Sequence, residues 1–322
     1  MARFDLDHPA LVEVLRRQDG VVRRRQLFEA GAQPHDVQRL LRRRDLRRVQ
    51  AGVYVVHTGP LTPGQRDWAA VLGAWPAALT GPSALPGPRP GKVHIAIERG
   101  RTVQPQAGVV LHRTSHLRQR ALWHRAPPRV RVEHAVIEEM SARLRDGDVA
   151  AAFAVLARVV ASRETTVDRT LDALAERRRV PGRAMIAAML ADVRTGICPV
   201  LERGYRDHVA RPHGLPRPSR QHPSLATGAP THQDVRYPQY SLVVELDGLA
   251  FHASAAARDH DAERDLAELA TTRAPTTRVT YGLVFTTPCR TARWIAQILR
   301  NRGWAGALTH CPRCPPSREQ PL

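Results

Sequence analysis

The cleanest alternation of apolar and polar residues in this chain is "SLVVELDGLAFH", Ser241 to His252. Successive side chains of a strand point to opposite faces. Leu242, Val244 and Leu246 therefore share one face, and Val243, Glu245 and Asp247 share the other. The segments around it keep their own periods. "PVLERGYRDHVARPHGLP" begins as a helix and ends in a Gly-Leu-Pro turn. "SRQHPSL" and "HQDVRYP" read as strands, "ASAAARDHDAERDLAELA" as a helix, "TTRVTYGLVF" as a strand and "TARWIAQILRNRG" as a last helix. This order predicts an α/β sandwich over 197–308.

Upstream, residues 133–196 show helical spacing throughout. Thr165 or Thr166 and Pro181 are start signals and Gly196 is a stop. The first 57 residues order a short amphipathic helix, two helices split at Ala30, Gly31 and Ala32, and a hairpin turning near Gly52. That is the order of a winged helix-turn-helix, in which the second helix of the pair reads a DNA groove. Residues 58–132 hold two alternating strands, "KVHIAIE" and "GVVLHRT", and a Gly/Pro-rich connector, "GPSALPGPRPG". The expected architecture is a multidomain α+β protein: an N-terminal winged helix-turn-helix (1–57), a small α+β segment (58–132), a helical spacer (133–196), a C-terminal α/β domain (197–308) and a flexible Cys/Pro tail (309–322).

Charge sharpens this picture. The 322 residues carry a formal net charge of +19, and Lys92 is the only lysine. Such an excess suits a polyanion, because neutralised phosphates release counterions. DNA is the expected partner, contacted by Gln38, Arg39, Arg42, Arg43, Arg47 and Arg48, with Arg44 on the same flank. No run of 18 or more apolar residues occurs. The acids in "MARFDLDHPALVEVL" do not suit a signal peptide. A cytoplasmic protein without a membrane partner is expected.

The acids of the central strand need a cation. With Pro238 and Gln239 as turn centre, Tyr237 faces Tyr240 and Asp234 faces Val243, so Asp234 lies diagonally across from Glu245. Two carboxylates about 5 Å apart at an effective dielectric near 20 repel by about 3 kcal/mol. Mg²⁺ or Mn²⁺ would relieve this, and arginine is the alternative. In the tail, "HCPRCPP" is a Cys-x-x-Cys knuckle. Cys311 and Cys314, with Cys289 and either His310 or Cys198, would make a four-ligand Zn²⁺ set; a flexible tail is the simpler expectation.

"HQDVRYPQYSLVVELDGLAFH" followed by "DHDAERDLAEL" resembles the PD-(D/E)XK nuclease superfamily, and within it the restriction-endonuclease-like domains related to very short patch repair endonuclease. The resemblance covers about residues 198–308. It implies metal-dependent DNA cleavage, with Asp234 and Glu245 as metal ligands and Glu202 assisting from the first helix. The superfamily's usual lysine, two residues after the motif acid, is here Asp247. His252, His260 or Arg264 would take its place, His252 first. Residues 8–57 are similar to the winged helix of AbiEi-type antitoxins, which implies operator binding and, as further partner, a cognate toxin or a second copy of the chain. The rival expectation is therefore a transcriptional regulator whose nuclease fold grips DNA without cutting it.

Overall fold

The computed structural model describes residues 4–104, 106–195, 198–248 and 255–314. They form a mixed α/β protein with three sheets, divided into two compact units, Met1–Glu138 and Glu139–Leu322. Among the described residues, no helix is long and apolar enough to cross a membrane.

The first unit opens with α1 (Pro9–Arg17), β1 (Val21–Arg23), α2 (Arg24–Glu29), α3 (Pro34–Arg42), β2 (Arg47–Gln50) and β3 (Val53–Val55). The strands pair in the order β1-β3-β2. Val21–Arg23 is too short to show a period, which is why the sequence reading missed β1. Leu11, Val22, Leu27, Val37, Leu40 and Leu46 make one core over this stretch. The expected boundary at 57 falls inside the unit. The next helix, α4 (Pro63–Gly73), is opened by Thr62, whose hydroxyl accepts from the backbone N–H of Gln65. Its Trp68, Ala69 and Leu72 pack with Val21, Val53 and Val55. A second, five-stranded sheet follows. Its strands are β4 (Ala78–Leu79), β5 (Val93–Glu98), β6 (Val109–Thr114), β7 (Ala121–Leu122) and β8 (Arg129–Val130), with α5 (Leu117–Arg120) between β6 and β7. The two strands expected here, β5 and β6, are present and run parallel.

The helical stretch is α6 (Val132–Arg145), α7 (Val149–Ala161), α8 (Val167–Ala175) and α9 (Arg183–Thr195). It is more than a spacer. Phe153 of α7 stacks on Tyr281 with ring centroids 3.7 Å apart, and the Tyr281 hydroxyl donates to Asp192 of α9 at 3.0 Å.

The rest of the second unit is α10 (Pro199–Gly204), β9 (Ser219–Ser224), β10 (Thr231–Tyr237), β11 (Leu242–Asp247), α11 (Ala255–Thr272), β12 (Thr276–Thr280) and α12 (Pro288–Asn301). A π-helical turn (Tyr205–Ala210) and a 3-10 turn (Arg211–His213) continue α10 without a break. The sheet order is β12-β11-β10-β9, with β11 antiparallel to β10 and parallel to β12. The last strand is shorter than expected. It stops at Thr280, and Gly282–Thr286 wind into a π-type turn, which lets Tyr281 bury its ring against Phe153. Gly204 makes room for that turn: a Cβ there would lie 2.4 Å from the Phe285 ring.

Candidate functional site

The hairpin between β10 and β11 sets the site. The two-residue turn expected at Pro238 and Gln239 does not form. Two-residue hairpin turns need positive φ at their centre, and proline is fixed near −65°. The chain instead makes a 3-10 turn over Pro238–Tyr240 and reverses at Ser241, whose φ is 44°. This moves the register by two residues. Tyr237 pairs with Leu242 and Val235 with Val244, so the next pair in the ladder is Asp234 with Glu245. The two acids face each other directly instead of diagonally, on the more closely spaced relation.

The row extends across the sheet. Glu245 pairs with Arg278 of β12. On the other side Gln233 pairs with His222 and Val235 with Arg220 of β9, which brings Gln221 beside Asp234. Four neighbouring strands thus present Arg278, Glu245, Asp234 and Gln221 in line. The Gln221 amide donates to Glu202 of α10 at 2.8 Å and to Asp234 at 3.5 Å. Asp234 also accepts the Leu246 backbone N–H at 2.8 Å. Helix α11 adds Arg264, whose guanidinium lies 3.9 Å from Glu245 and 3.7 Å from Asp261 and donates to the His232 carbonyl at 3.2 Å. Arg278 reaches Asp265 at 2.9 Å and Asp261 at 3.6 Å.

Burial governs the charge of this group. Glu245 is pushed up to about 7, by loss of water first and by the facing charge of Asp234 second. Glu202 is raised as well, again by burial first, with Asp234 adding to it against the Gln221 hydrogen bond. Asp247 continues the face beside Thr280 of β12. Gly248 follows it for a packing reason: a Cβ there would lie 2.3 Å from the Cys198 sulfur at the start of α10. His252 lies outside the described residues. His260 is exposed, 3.9 Å from Glu263 and apart from the acids.

A cleft of roughly 850 Å³ opens beside Glu202, lined by Arg206, Arg211, Arg217 and Arg220. It offers a basic bed beside Glu202, and its wall on β10 is Val235, which points to the opposite face of the sheet from Asp234. Sequence reasoning missed it, and missed Gln221 and Arg278 too. Their signal was present in the expected strands and only the correct register could reveal it.

The N-terminal candidates divide into two sets. Gln38, Arg42, Arg43 and Arg48 are exposed, with Arg43 3.2 Å from Asp45. Arg39 and Arg47 are engaged within the protein. Asp36 caps α3 by accepting the Gln33 N–H at 3.0 Å, and it also binds Arg39 at 3.0 Å, which further donates to the Phe4 carbonyl. Arg47 donates to the carbonyls of Gly59 at 2.8 Å and His57 at 3.4 Å.

Among the described residues, the three carboxylates do not form a convergent metal-ligand set. The group that does is His213, Cys289, Cys311 and Cys314. This corrects the expected zinc ligands, since neither His310 nor Cys198 belongs to it. Of the expected tail, residues 309–314 lie among the described residues. Thr309 is held by the His213 and Pro212 carbonyls, at 3.0 Å each. The sequence reading passed over His213 because the fourth ligand sits 76 residues before Cys289 in the chain. No protein-family model and no curated protein matches this chain, so the reading of the site rests on its own residues.

Proposed function

We propose that the chain binds DNA and that its C-terminal unit hydrolyses phosphodiester bonds with Mg²⁺ or Mn²⁺ held by Asp234 and Glu245. The observation that carries this is the row Arg278, Glu245, Asp234 and Gln221, joined to Glu202 through the Gln221 amide. The donors are carboxylate oxygens, the ligand type of hard divalent ions. Glu245 keeps its proton to near neutrality because a second acid faces it away from water, a condition that a divalent cation removes. A bound ion there would activate water and stabilise the leaving oxygen of the phosphodiester.

The chain's own residues have distinct parts. Glu202 and Gln221 position Asp234. Arg264 and Arg278 offset negative charge on the sheet face, and Arg264 stands where charge developing on the phosphate can be met. Asp247 occupies the usual lysine position, and His252 is the candidate for acid–base work. The arginines of the cleft hold the DNA backbone, as positioning contacts do in most DNA complexes. The accompanying fold reading is a PD-(D/E)XK-like sheet in the second unit and a winged helix at the start of the first.

A second reading is favoured by the 3.9 Å approach of Arg264 to Glu245 together with the missing lysine. Internal arginines then supply the cation, and the protein is an AbiEi-like regulator that binds DNA without cutting it, with a cognate toxin or a second copy as partner. Supercoiled-plasmid nicking with Mg²⁺, Mn²⁺ or EDTA separates the two. The expected result is nicking that needs the metal and is lost in Asp234→Ala, with DNA affinity by fluorescence anisotropy retained. Binding without cleavage in every condition establishes the regulator instead.

The arginine assignments are tested by salt titration on duplex DNA. Arg42→Ala and Arg48→Ala are each expected to reduce the slope of log K against log salt by about 1. Arg39→Ala and Arg47→Ala are expected to leave the slope unchanged and lower the melting temperature, because their partners lie inside the protein.

A further inference from the structure

We propose that His213, Cys289, Cys311 and Cys314 bind one Zn²⁺ in a closed tetrahedral site that clamps the C-terminal segment onto the helical run carrying Glu202. The proposal stands independently of the nuclease reading.

The ligand atoms already have the spacing of a zinc tetrahedron. Zn–S bonds of about 2.3 Å and a Zn–N bond of about 2.0 Å give S···S edges of about 3.8 Å and S···N edges of about 3.5 Å. The Cys289 and Cys311 sulfurs are 3.5 Å apart, those of Cys311 and Cys314 3.8 Å, and the Cys314 sulfur is 3.6 Å from His213 Nε2. All four ligand atoms lie within 4.8 Å of one another. A disulfide would need sulfurs about 2.05 Å apart, and all the cysteines are free.

The imidazole is oriented for the role. His213 is fully buried, and its Nδ1 lies 2.9 Å from the Val209 carbonyl. Only an Nδ1–H can make that bond, so the Nε2 lone pair faces the thiols. This is the outer hydrogen bond that metal-bound histidines ordinarily make. Three thiolates and one imidazole leave no open position, which marks a structural rather than a catalytic zinc. Binding releases the three thiol protons to solvent and changes no oxidation state.

The four ligands come from three separate parts of the chain. Cys311 and Cys314 come from the segment after α12, Cys289 from the first turn of α12, and His213 from the end of the run that begins at α10. Glu202 stands near the start of that same run. A metal at its far end fixes the helical layer against the chain terminus, a task that hydrogen bonds from Thr309 alone would do weakly.

The test is metal analysis of the full-length protein, purified without a histidine tag in the presence of a thiol reductant and micromolar zinc. Wild type is expected to hold about one zinc per chain. Exchange with Co²⁺ is expected to give the visible bands of tetrahedral thiolate coordination. Cys289→Ser, Cys311→Ser and Cys314→Ser are expected to lose the metal, whereas Cys198→Ser and His310→Ala keep it. His213→Cys, which puts a fourth thiolate in place of the imidazole, is expected to keep it too, and this guards against a serine variant that simply fails to fold. Zinc-free wild type under these conditions overturns the proposal. So does a full equivalent of zinc in the Cys311→Ser variant, or a Cys289–Cys311 disulfide found by thiol titration. Failure of the plasmid assay leaves these outcomes untouched.

Discussion

Replacing Glu245 with glutamine is expected to abolish metal-dependent nicking and, in the same protein, to raise thermal stability in EDTA at pH 8. The second effect follows from the direction of its titration. Glu245 goes from an ordinary value of 4.5 up to about 7 on folding, because it is buried and faces Asp234. At pH below 4.5 both states hold the proton and the group contributes nothing. Between 4.5 and 7 the folded state keeps a proton that the unfolded state gives up, so stability falls as pH rises. Above 7 the penalty is complete, and its size is on the order of 3 kcal/mol. Glutamine has the same shape and carries no such penalty. The melting temperature of Glu245→Gln should therefore match wild type near pH 4.5 and exceed it at pH 8, with the gap opening between those values. Mg²⁺ should close the gap by stabilising the wild type alone. Calorimetry at several pH values, with and without metal, checks this. A variant less stable than wild type at pH 8 in EDTA would mean that Arg264 and Arg278 already hold Glu245 as a buried ion pair, which is the state the regulator reading requires.

That outcome depends on geometry which the sequence carried only in part. The alternation of "SLVVELDG" is enough to put Glu245 and Asp247 on one face, and the strand has that pattern in the structure. Its pairing partner was also legible. The register was not, because it turns on how Pro238 and Ser241 share the reversal, and a two-residue turn looks equally good until the fixed φ of proline is taken into account. One turn thus decides whether Asp234 meets Glu245 or Val243. Arg278 and Gln221 were hidden for the same reason, since neither has any local signal beyond its place in a strand. The helical stretch 133–196 was legible as helices. Its packing against Tyr281 was not, because an aromatic at the end of a strand gives no sign of which helix will stack on it. At the cluster of His213 with three cysteines, Cys-x-x-Cys was visible as half a site. The other half depends on long-range contacts that bring the end of the 3-10 turn at His213 to the start of α12. Burial also separated Arg39 and Arg47 from their exposed neighbours in a run of arginines that looks uniform in sequence.

Glu268→Ala is expected to cost about 3–5 kcal/mol of stability, the range for breaking a buried ion pair from one side. Glu268 and Arg236 are both buried and bonded to each other. Ser224 of β9 donates to Glu268 at 2.7 Å and Thr272 at 2.6 Å, while Arg236 also donates to Gln233 at 2.9 Å. This network ties α11 to β9 and β10, and α11 is the helix that brings Arg264 and Asp261 to the acid row. Alanine would leave the Arg236 charge buried without its partner. The melting transition should fall by roughly 10 °C, given about 2–4 °C per kcal/mol for a unit of this size. The double variant Arg236→Met with Glu268→Leu should lose less than either single one, because an apolar pair leaves no orphaned charge. The acid limb of the stability profile gives a further check. Burial alone would raise the Glu268 carboxyl, but the hydrogen bonds from Thr272, Arg236 and Ser224 outweigh it and hold the group below its ordinary value. Its stabilisation is therefore complete above the ordinary carboxylate value and is lost as pH falls through the lower, folded one. Glu245 acts in the opposite sense, weakening the protein as pH rises toward 7. Wild type should thus lose stability on both sides of mildly acidic pH, with Glu268→Ala flattening the acid side and Glu245→Gln the neutral side. If Glu268→Ala costs less than about 1 kcal/mol, the pair is solvated and α11 is held to the sheet by its apolar contacts instead.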